Sequence, residues 1–188
     1  GPRETAKFFK KMGIPTHQVK STLIVGGGMI AFYLAKQLLE MRVDVRIIEQ
    51  NKERCEMLSE ELPDATILQG DGTDKEFLLE EGLAHTESLV ALTNMDEESL
   101  MLALLARKYS EAKLVAKVNR IHFEEVIDDL DIDSIIYPKN LAAEHIVRYT
   151  RAMQNSLGSN VETLYKVMDG AAEALEFVIR EESHVTNR

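Results

Sequence analysis

The chain has no tryptophan, a single cysteine, four prolines and only 6 % aromatic residues among its 188 positions. One cysteine excludes an internal disulfide and fits a reducing compartment. Cys55 lies in Glu53-Arg54-Cys55-Glu56 with no histidine nearby, so it reads as an ordinary helix residue and not a nucleophile. Positive charge is also short: 22 Lys and Arg stand against 32 Asp and Glu, a formal net charge of −10. A nucleic-acid partner is excluded on that balance, because its phosphates would be repelled. A small anionic ligand is not, since local backbone dipoles rather than net charge hold phosphate. No apolar run approaches the roughly 18 residues of a membrane helix, and no signal peptide is evident. The expectation is a soluble, cytoplasmic protein, with Gly1-Pro2 a remnant of proteolytic processing. Hydrophobic residues make up 45 %, enough for a proper core, so disorder is not expected.

What the chain does have is a glycine turn. Ser21-Thr22-Leu23-Ile24-Val25 runs into Gly26-Gly27-Gly28-Met29-Ile30-Ala31 and resumes with Leu34, Leu38 and Leu39 at helical spacing. A strand, a tight turn and a helix N-terminus in that order suit a dinucleotide pyrophosphate. Gly26 permits the turn, Gly28 lets backbone N–H groups approach phosphate, and Ala31 supplies the small residue where helix meets strand. Glu49 closes the next apolar run, Val45-Arg46-Ile47-Ile48-Glu49, where a carboxylate can accept both ribose hydroxyls. A turn retained only for packing would leave Glu49 unexplained.

From Ser21 onward apolar strands alternate with amphipathic helices. Strands are expected near 21–26, 43–49, 65–69, 87–93, 113–118 and 134–137. Helices are expected near 28–41, 51–62, 74–81, 96–109, 122–130 and 139–155. Six strands separated by helices imply an α/β, doubly wound parallel sheet of order 3-2-1-4-5-6, Rossmann-like. Before it, residues 3–20 read as a lead-in helix and linker with Phe8, Phe9 and Met12 as a short apolar stripe. Past Gly158, Asn160–Met168 and Glu173–Arg180 read as two strands turning at Asp169-Gly170. In such a sheet, ligands sit outside the carboxyl ends of the strands where strand order reverses. Those ends carry Gly26–Gly28, Glu49, Gly70-Asp71, Thr93-Asn94 and Lys117: carboxylates for ribose and adenine amino groups, small polar contacts, and one positive charge.

Taken in series, Ile24-Val25-Gly26-Gly27-Gly28, Ile47-Ile48-Glu49-Gln50-Asn51, Gln69-Gly70-Asp71-Gly72-Thr73-Asp74, Glu81-Gly82-Leu83 and Ala91-Leu92-Thr93-Asn94-Met95-Asp96-Glu97 resemble the regulator-of-potassium-conductance domain. The likeness is to the peripheral nucleotide-binding subunit of bacterial Trk potassium uptake, and to the second of its tandem halves. The resemblance covers about residues 21–155 and continues through Val161-Glu162-Thr163-Leu164 and Ala174-Leu175-Glu176-Phe177. It implies a domain order of lead-in 1–20, nucleotide-binding domain 21–138, crossover or dimerisation helix 139–157, and the start of a truncated small lobe over 158–188. It further implies a site for NAD(H), or for AMP, ADP or ATP, formed by Gly26, Gly27, Gly28, Met29, Ile30, Glu49, Asp71, Thr93, Asn94 and Lys117. An integral-membrane potassium-translocating partner, a homodimer or higher ring, and a place at the inner face of the membrane follow from the same likeness. There are departures. Ala31 replaces a third glycine, Ser99 stands where asparagine is common, and Lys117 replaces arginine, giving up planar bidentate contacts. Met29 occupies a position that bears a phosphate-directed arginine in some relatives, which weakens the case for a triphosphate.

The competing reading is an NAD-dependent dehydrogenase in the same crevice. Tyr109-Ser110-Glu111-Ala112-Lys113 has the Tyr-x-x-x-Lys spacing of such enzymes, but Tyr109 falls at a helix end and Lys113 opens a strand, so the side chains should diverge. The acidic runs Asp96-Glu97-Glu98 and Asp128-Asp129-Leu130-Asp131, with His122 or Glu124, lack the spacing and bend glycine of a calcium loop and read as solvated faces. A pure scaffold leaves the strand-end residues without purpose. The sequence therefore reads as a ligand sensor and not an enzyme. In helix 139–155, Leu141, Ile146, Tyr149 and Met153 form a stripe that either folds back on the sheet or packs on a partner, and the resemblance implies the second, a crossover helix joining two copies.

Overall fold

The computed structural model describes residues 18–120, 126–127, 129–155, 161–167 and 172–177, with side chains described as far as residue 150. Two compact units divide the chain, one ending at Ile136 and the other beginning at Tyr137.

The first unit is built on β1 (Ser21–Val25), α1 (Met29–Glu40), β2 (Asp44–Glu49), α2 (Lys52–Glu61), β3 (Thr66–Gln69), α3 (Lys75–Glu80), β4 (Ser88–Ala91), α4 (Asp96–Tyr109), β5 (Lys113–Lys117) and β6 (Ser134–Ile136). The six strands pair in the order β3-β2-β1-β4-β5-β6, all parallel, as the alternation of strands and helices predicts. Both faces of a parallel sheet are covered by helices, so its strands read as continuous apolar runs. Successive residues nevertheless divide between two cores. Leu23, Val25, Leu89 and Ala91 pack with Leu102, Ala103 and Ala106 of α4 and Leu78 of α3. Ile24, Val45, Ile47 and Val90 pack on the opposite face with Ala31 and Ala35 of α1 and Leu58 of α2. The alanines, fully buried, let α1 and α4 lie close to the sheet. Val25 pairs with Ile48 on one side and Ala91 on the other, so the carboxyl ends of β1, β2 and β4 finish level. Strand order reverses between β1 and β4, and a crevice opens above that point.

Side-chain caps start two of the helices. Asn51 accepts from Arg54 N at 2.8 Å at the head of α2, and Asp74 accepts from Glu76 N at 2.9 Å at the head of α3. The expected helix over 122–130 lies largely outside the described residues; Val126 and Ile127 are helical.

The second unit comprises α5 (Pro138–Asn155), β7 (Val161–Val167) and β8 (Ala172–Phe177). β7 and β8 pair antiparallel, with Leu164 opposite Leu175 and an irregularity between Val161 and Thr163. The expected turn at Asp169-Gly170 and the lead-in over 3–17 lie outside the described residues. In α5, Leu141, Ile146 and Tyr149 of the anticipated stripe are exposed; the side chain of Met153 is not described.

Candidate functional site

The crevice above the sheet switch has a volume of about 560 Å³, within the range of small-molecule and cofactor sites. Its walls come from the turns after β1, β2, β3 and β4 and from the end of β5. Gly26, Gly27, Gly28, Met29, Ile30, Glu49, Thr93, Asn94 and Lys117 all line it, so nine of the ten residues named from the sequence meet in one place.

The glycine turn is shaped by two different requirements. Gly26 has φ +100, and a Cβ there would lie 2.8 Å from the Leu92 carbonyl oxygen, so the chain needs glycine at this point to pass β4. Gly28 has ordinary angles, φ −68 and ψ −174, and a Cβ on it would meet no atom of the described residues within 4 Å. Its freedom from a side chain serves open space, not packing. Gly28 heads α1 without a side-chain cap, and no acidic residue stands in the helix's first turn. The first N–H groups of a helix have no acceptor inside it, so those of α1 face the crevice with partial positive charge and no acid of their own turn beside them.

Glu49 holds the turn from the side of β2. Its Oε2 accepts from Gly27 N and its Oε1 from Asn51 N, both at 2.8 Å. Each oxygen retains lone pairs for a further donor. On the other wall, the Thr93 hydroxyl donates to the Met95 carbonyl at 2.8 Å and is bonded to the buried Ser99 hydroxyl at 2.9 Å. Thr93 thus braces the start of α4. Lys117 is buried, and its Nζ donates to the Leu92 carbonyl at 3.3 Å. Burial lowers its pKa, with the Asp96 carboxylate acting in the opposite direction.

Asp71 is the exception. It is not among the lining residues, although Gly70 and Gly72 beside it are. Its Oδ1 accepts from Thr73 N at 2.8 Å and Thr73 Oγ1 at 2.7 Å, which closes its own turn. Those bonds, with one from Gln50, hold its carboxyl below the usual range.

Two acidic residues read as solvated behave otherwise. Asp96 is buried and accepts from Asn119 N, Asn119 Nδ2 and Arg120 N at 2.8–2.9 Å, pinning the segment after β5. Burial pushes its pKa up, but the hydrogen bonds from Asn119 and Arg120 and the Arg120 charge outweigh it and hold the carboxyl low. Glu98, one turn into α4, lines the crevice. Cys55 is buried rather than set in a solvated run. Its Sγ donates to the Glu49 carbonyl at 3.4 Å, and burial followed by the Glu49 charge raises its pKa, which keeps it an unreactive thiol. Tyr109 closes α4 and Lys113 opens β5; the Tyr109 ring lies under Lys75 and Lys108, each 5.9 Å from its centroid.

Arg54, like Glu98, is a crevice residue that sequence reasoning missed. Its Nε donates to the Gly27 carbonyl at 2.6 Å, while its buried Nη2 has no partner among the described residues. A signal existed. Lys52 and Arg54 both fall in the first turn of α2, the end of a helix where positive charge is unfavourable. Lys52 is compensated by Glu56 at 3.8 Å; Arg54 has been spent on the glycine turn.

The profile of the TrkA-N domain family matches residues 22–138. Among curated proteins, a Trk system potassium uptake protein trkA homolog 1 of Methanosarcina mazei is 31 % identical over 167 residues, covering 88 % of this chain and 40 % of that protein. The Trk system potassium uptake protein TrkA of Vibrio alginolyticus is 34 % identical over 156 residues, covering 83 % and 32 %. The chain thus spans two fifths or less of the length of these relatives. Among solved structures, the TrkA-N domain of the inner membrane protein ybaL of Escherichia coli superposes with a TM-score of 0.61 at 18 % identity, covering 71 % of this chain and 98 % of that one. The GsuK channel bound to NAD gives 0.56 at 20 %, covering 89 % and 31 %. These two likenesses are of fold. On the matched profile and the sequence relatives, with the strand order and crevice already described, the chain belongs to the TrkA-N domain family.

Proposed function

We propose that this chain is a nucleotide-sensing module of potassium transport that binds NAD(H) in the crevice at the β1/β4 switch. The observation that carries the reading is the bare N-terminus of α1: uncapped, without an acid in its first turn, and open to the crevice beside Glu49. The pyrophosphate takes the N–H groups from Gly28 through Ile30, and the adenine ribose donates to the remaining lone pairs of Glu49. Gly26 and Gly27 shape the turn, Thr93 and Asn94 form the opposite wall, and Lys117 lies at its base. Asp71 contributes only by closing the turn next to the wall. Names of the sequence relatives, all potassium uptake proteins, supply the transport context.

In this reading the nucleotide works by occupancy, and the protein is not an enzyme. It shifts an equilibrium between two arrangements of the assembly by the difference in its affinity for them. The partner is an integral-membrane potassium-translocating subunit, and the chain acts from the cytoplasmic face; among the described residues no helix is long and apolar enough to cross a membrane. The apolar stripe of α5 joins two copies into a homodimer, the unit of any larger ring.

Calorimetric titration with NAD, NADH, AMP, ADP, ATP and NADP tests the site. NAD(H) binds, AMP and ADP substitute on the adenine side, and ATP gains nothing because Met29 offers its third phosphate no charge. Bound NADH is not oxidised by added ketones or aldehydes. Robust protein-dependent NADH oxidation, together with normal potassium flux in cells carrying Gly28→Val, overturns the sensor in favour of a dehydrogenase.

A further inference from the structure

The nucleotide reading assigns Gly28 the task of presenting an N–H group to phosphate, but glycine is a poor residue for holding any one direction. A peptide between two glycines meets little steric resistance to rotation, because neither flank carries a Cβ. Rotated by half a turn, the Gly27–Gly28 peptide would present its carbonyl oxygen where the phosphate needs a donor. Something must fix it.

Arg54 stands where that task is done. Its Nε donates to the Gly27 carbonyl at 2.6 Å, a short charge-assisted bond. The peptide is trans, as all are among the described residues, so its N–H and C=O point in opposite directions within one plane. With the Gly27 oxygen drawn toward α2 and Arg54, the Gly28 N–H is turned away from them. Gly28 N meets no acceptor among the described residues, and none of their atoms crowds the space around Gly28. The neighbouring peptide is held in the complementary way, since Glu49 Oε2 takes the Gly27 N–H at 2.8 Å. An acid from the end of β2 and a base from the first turn of α2 therefore grip Gly27 by its donor and its acceptor.

We propose that Arg54 is a positioning residue for phosphate: it locks the Gly27–Gly28 peptide with its N–H directed at the ligand, and so sets the preference of the crevice for adenosine bearing a 5′-phosphate over adenosine itself. The inference rests on the nucleotide reading and deepens it. It also accounts for an arginine at the unfavourable end of a helix dipole. Lys117 does not share the task, because its ammonium is buried on the Leu92 carbonyl.

Two substitutions separate the hold from the charge. Glutamine carries Nε2 the same number of bonds from Cα as arginine carries Nε, so Arg54→Gln keeps a donor for Gly27 and discards the charge. Arg54→Met keeps the length and apolar stem but donates nothing. AMP and adenosine are titrated separately against the wild type and both variants. Arg54→Met lowers the preference for AMP over adenosine about tenfold or more, the worth of one charge-assisted hydrogen bond, while adenosine affinity stays level. Arg54→Gln retains most of the preference. An unchanged ratio in Arg54→Met overturns the inference and leaves the nucleotide reading intact. So does a loss in Arg54→Gln as large as in Arg54→Met, since charge alone would then be responsible. Equal weakening of AMP and adenosine, which a merely structural role produces, overturns it too. Wild-type protein that binds neither AMP nor NAD refutes the nucleotide reading and the inference with it. Should Arg54→Met fail to fold, Arg54→Leu, which likewise donates nothing, takes its place with the same expected and overturning results.

Discussion

Gly26 and Gly28 sit two residues apart in one turn, yet substituting them should damage different things. Gly26→Ala places a Cβ 2.8 Å from the Leu92 oxygen and 2.9 Å from its carbon, both backbone atoms that have little room to retreat. It does so at φ +100, where a side chain costs about 1–3 kcal/mol before any clash is counted. A total near 3 kcal/mol is expected, and at roughly 2–4 °C per kcal/mol for a chain of this size the melting temperature falls by about 6–12 °C. Gly28→Val meets no atom within 4 Å of its Cβ and keeps allowed angles. Valine is a poorer N-cap than glycine by about 1 kcal/mol, so the fold is nearly unaffected. Its methyl groups instead fill the space where phosphate approaches the α1 N-terminus, and AMP and NAD affinity collapses. Denaturant unfolding reads the first effect and calorimetry the second. A Gly28→Val protein as unstable as Gly26→Ala, or one that binds AMP normally, refutes this division of labour.

Other outcomes can be stated briefly. Glu49→Ala removes the acceptor of the Gly27 and Asn51 N–H groups; unfolding experiments should show a loss of about 2 kcal/mol, and the margin by which NAD outbinds NADP should shrink, because the carboxylate that repels a 2′-phosphate is gone. Asp96 titrates lower folded than unfolded, so its stabilisation is present above about pH 4 and is lost as pH falls through the depressed folded value. Asp96→Asn is therefore expected to cost most at neutral pH, with unfolding curves of variant and wild type converging below about pH 4. Tyr149 is exposed on α5, and sedimentation should show a dimer that Tyr149→Asp converts to monomer; a wild-type monomer at high concentration counts against the α5 interface.

The sheet was legible because its signals are local. Apolar runs end at Val25, Glu49 and Ala91, and the helices between them begin with Asn51 and Asp74 as their caps. The crevice followed from topology, since any doubly wound sheet brings its strand ends together at the switch. Individual polar atoms were another matter. Glu49 and Gly27 are 22 residues apart, Arg54 and Gly27 are 27 apart, and Asp96 and Asn119 are 23 apart. Such pairings depend on how two separate turns fold over one another, and nothing in residue spacing reports it. For that reason Thr93 and Lys117 were named without their partners, Asp71 was named although only its neighbours Gly70 and Gly72 line the crevice, and Asp96 was taken for a solvated acid.

Cys55 is buried, with its thiol bonded to the Glu49 carbonyl. An outward excursion of α2 from β2 would expose that sulfur fully, so the rate of its reaction with a thiol reagent becomes a clock for local opening of this corner of the sheet. With no second cysteine in the chain, the signal has a single origin and needs no engineered label. A nucleotide gripping Glu49 and the glycine turn would tighten the same corner, and its binding would be heard as a slowing of that clock.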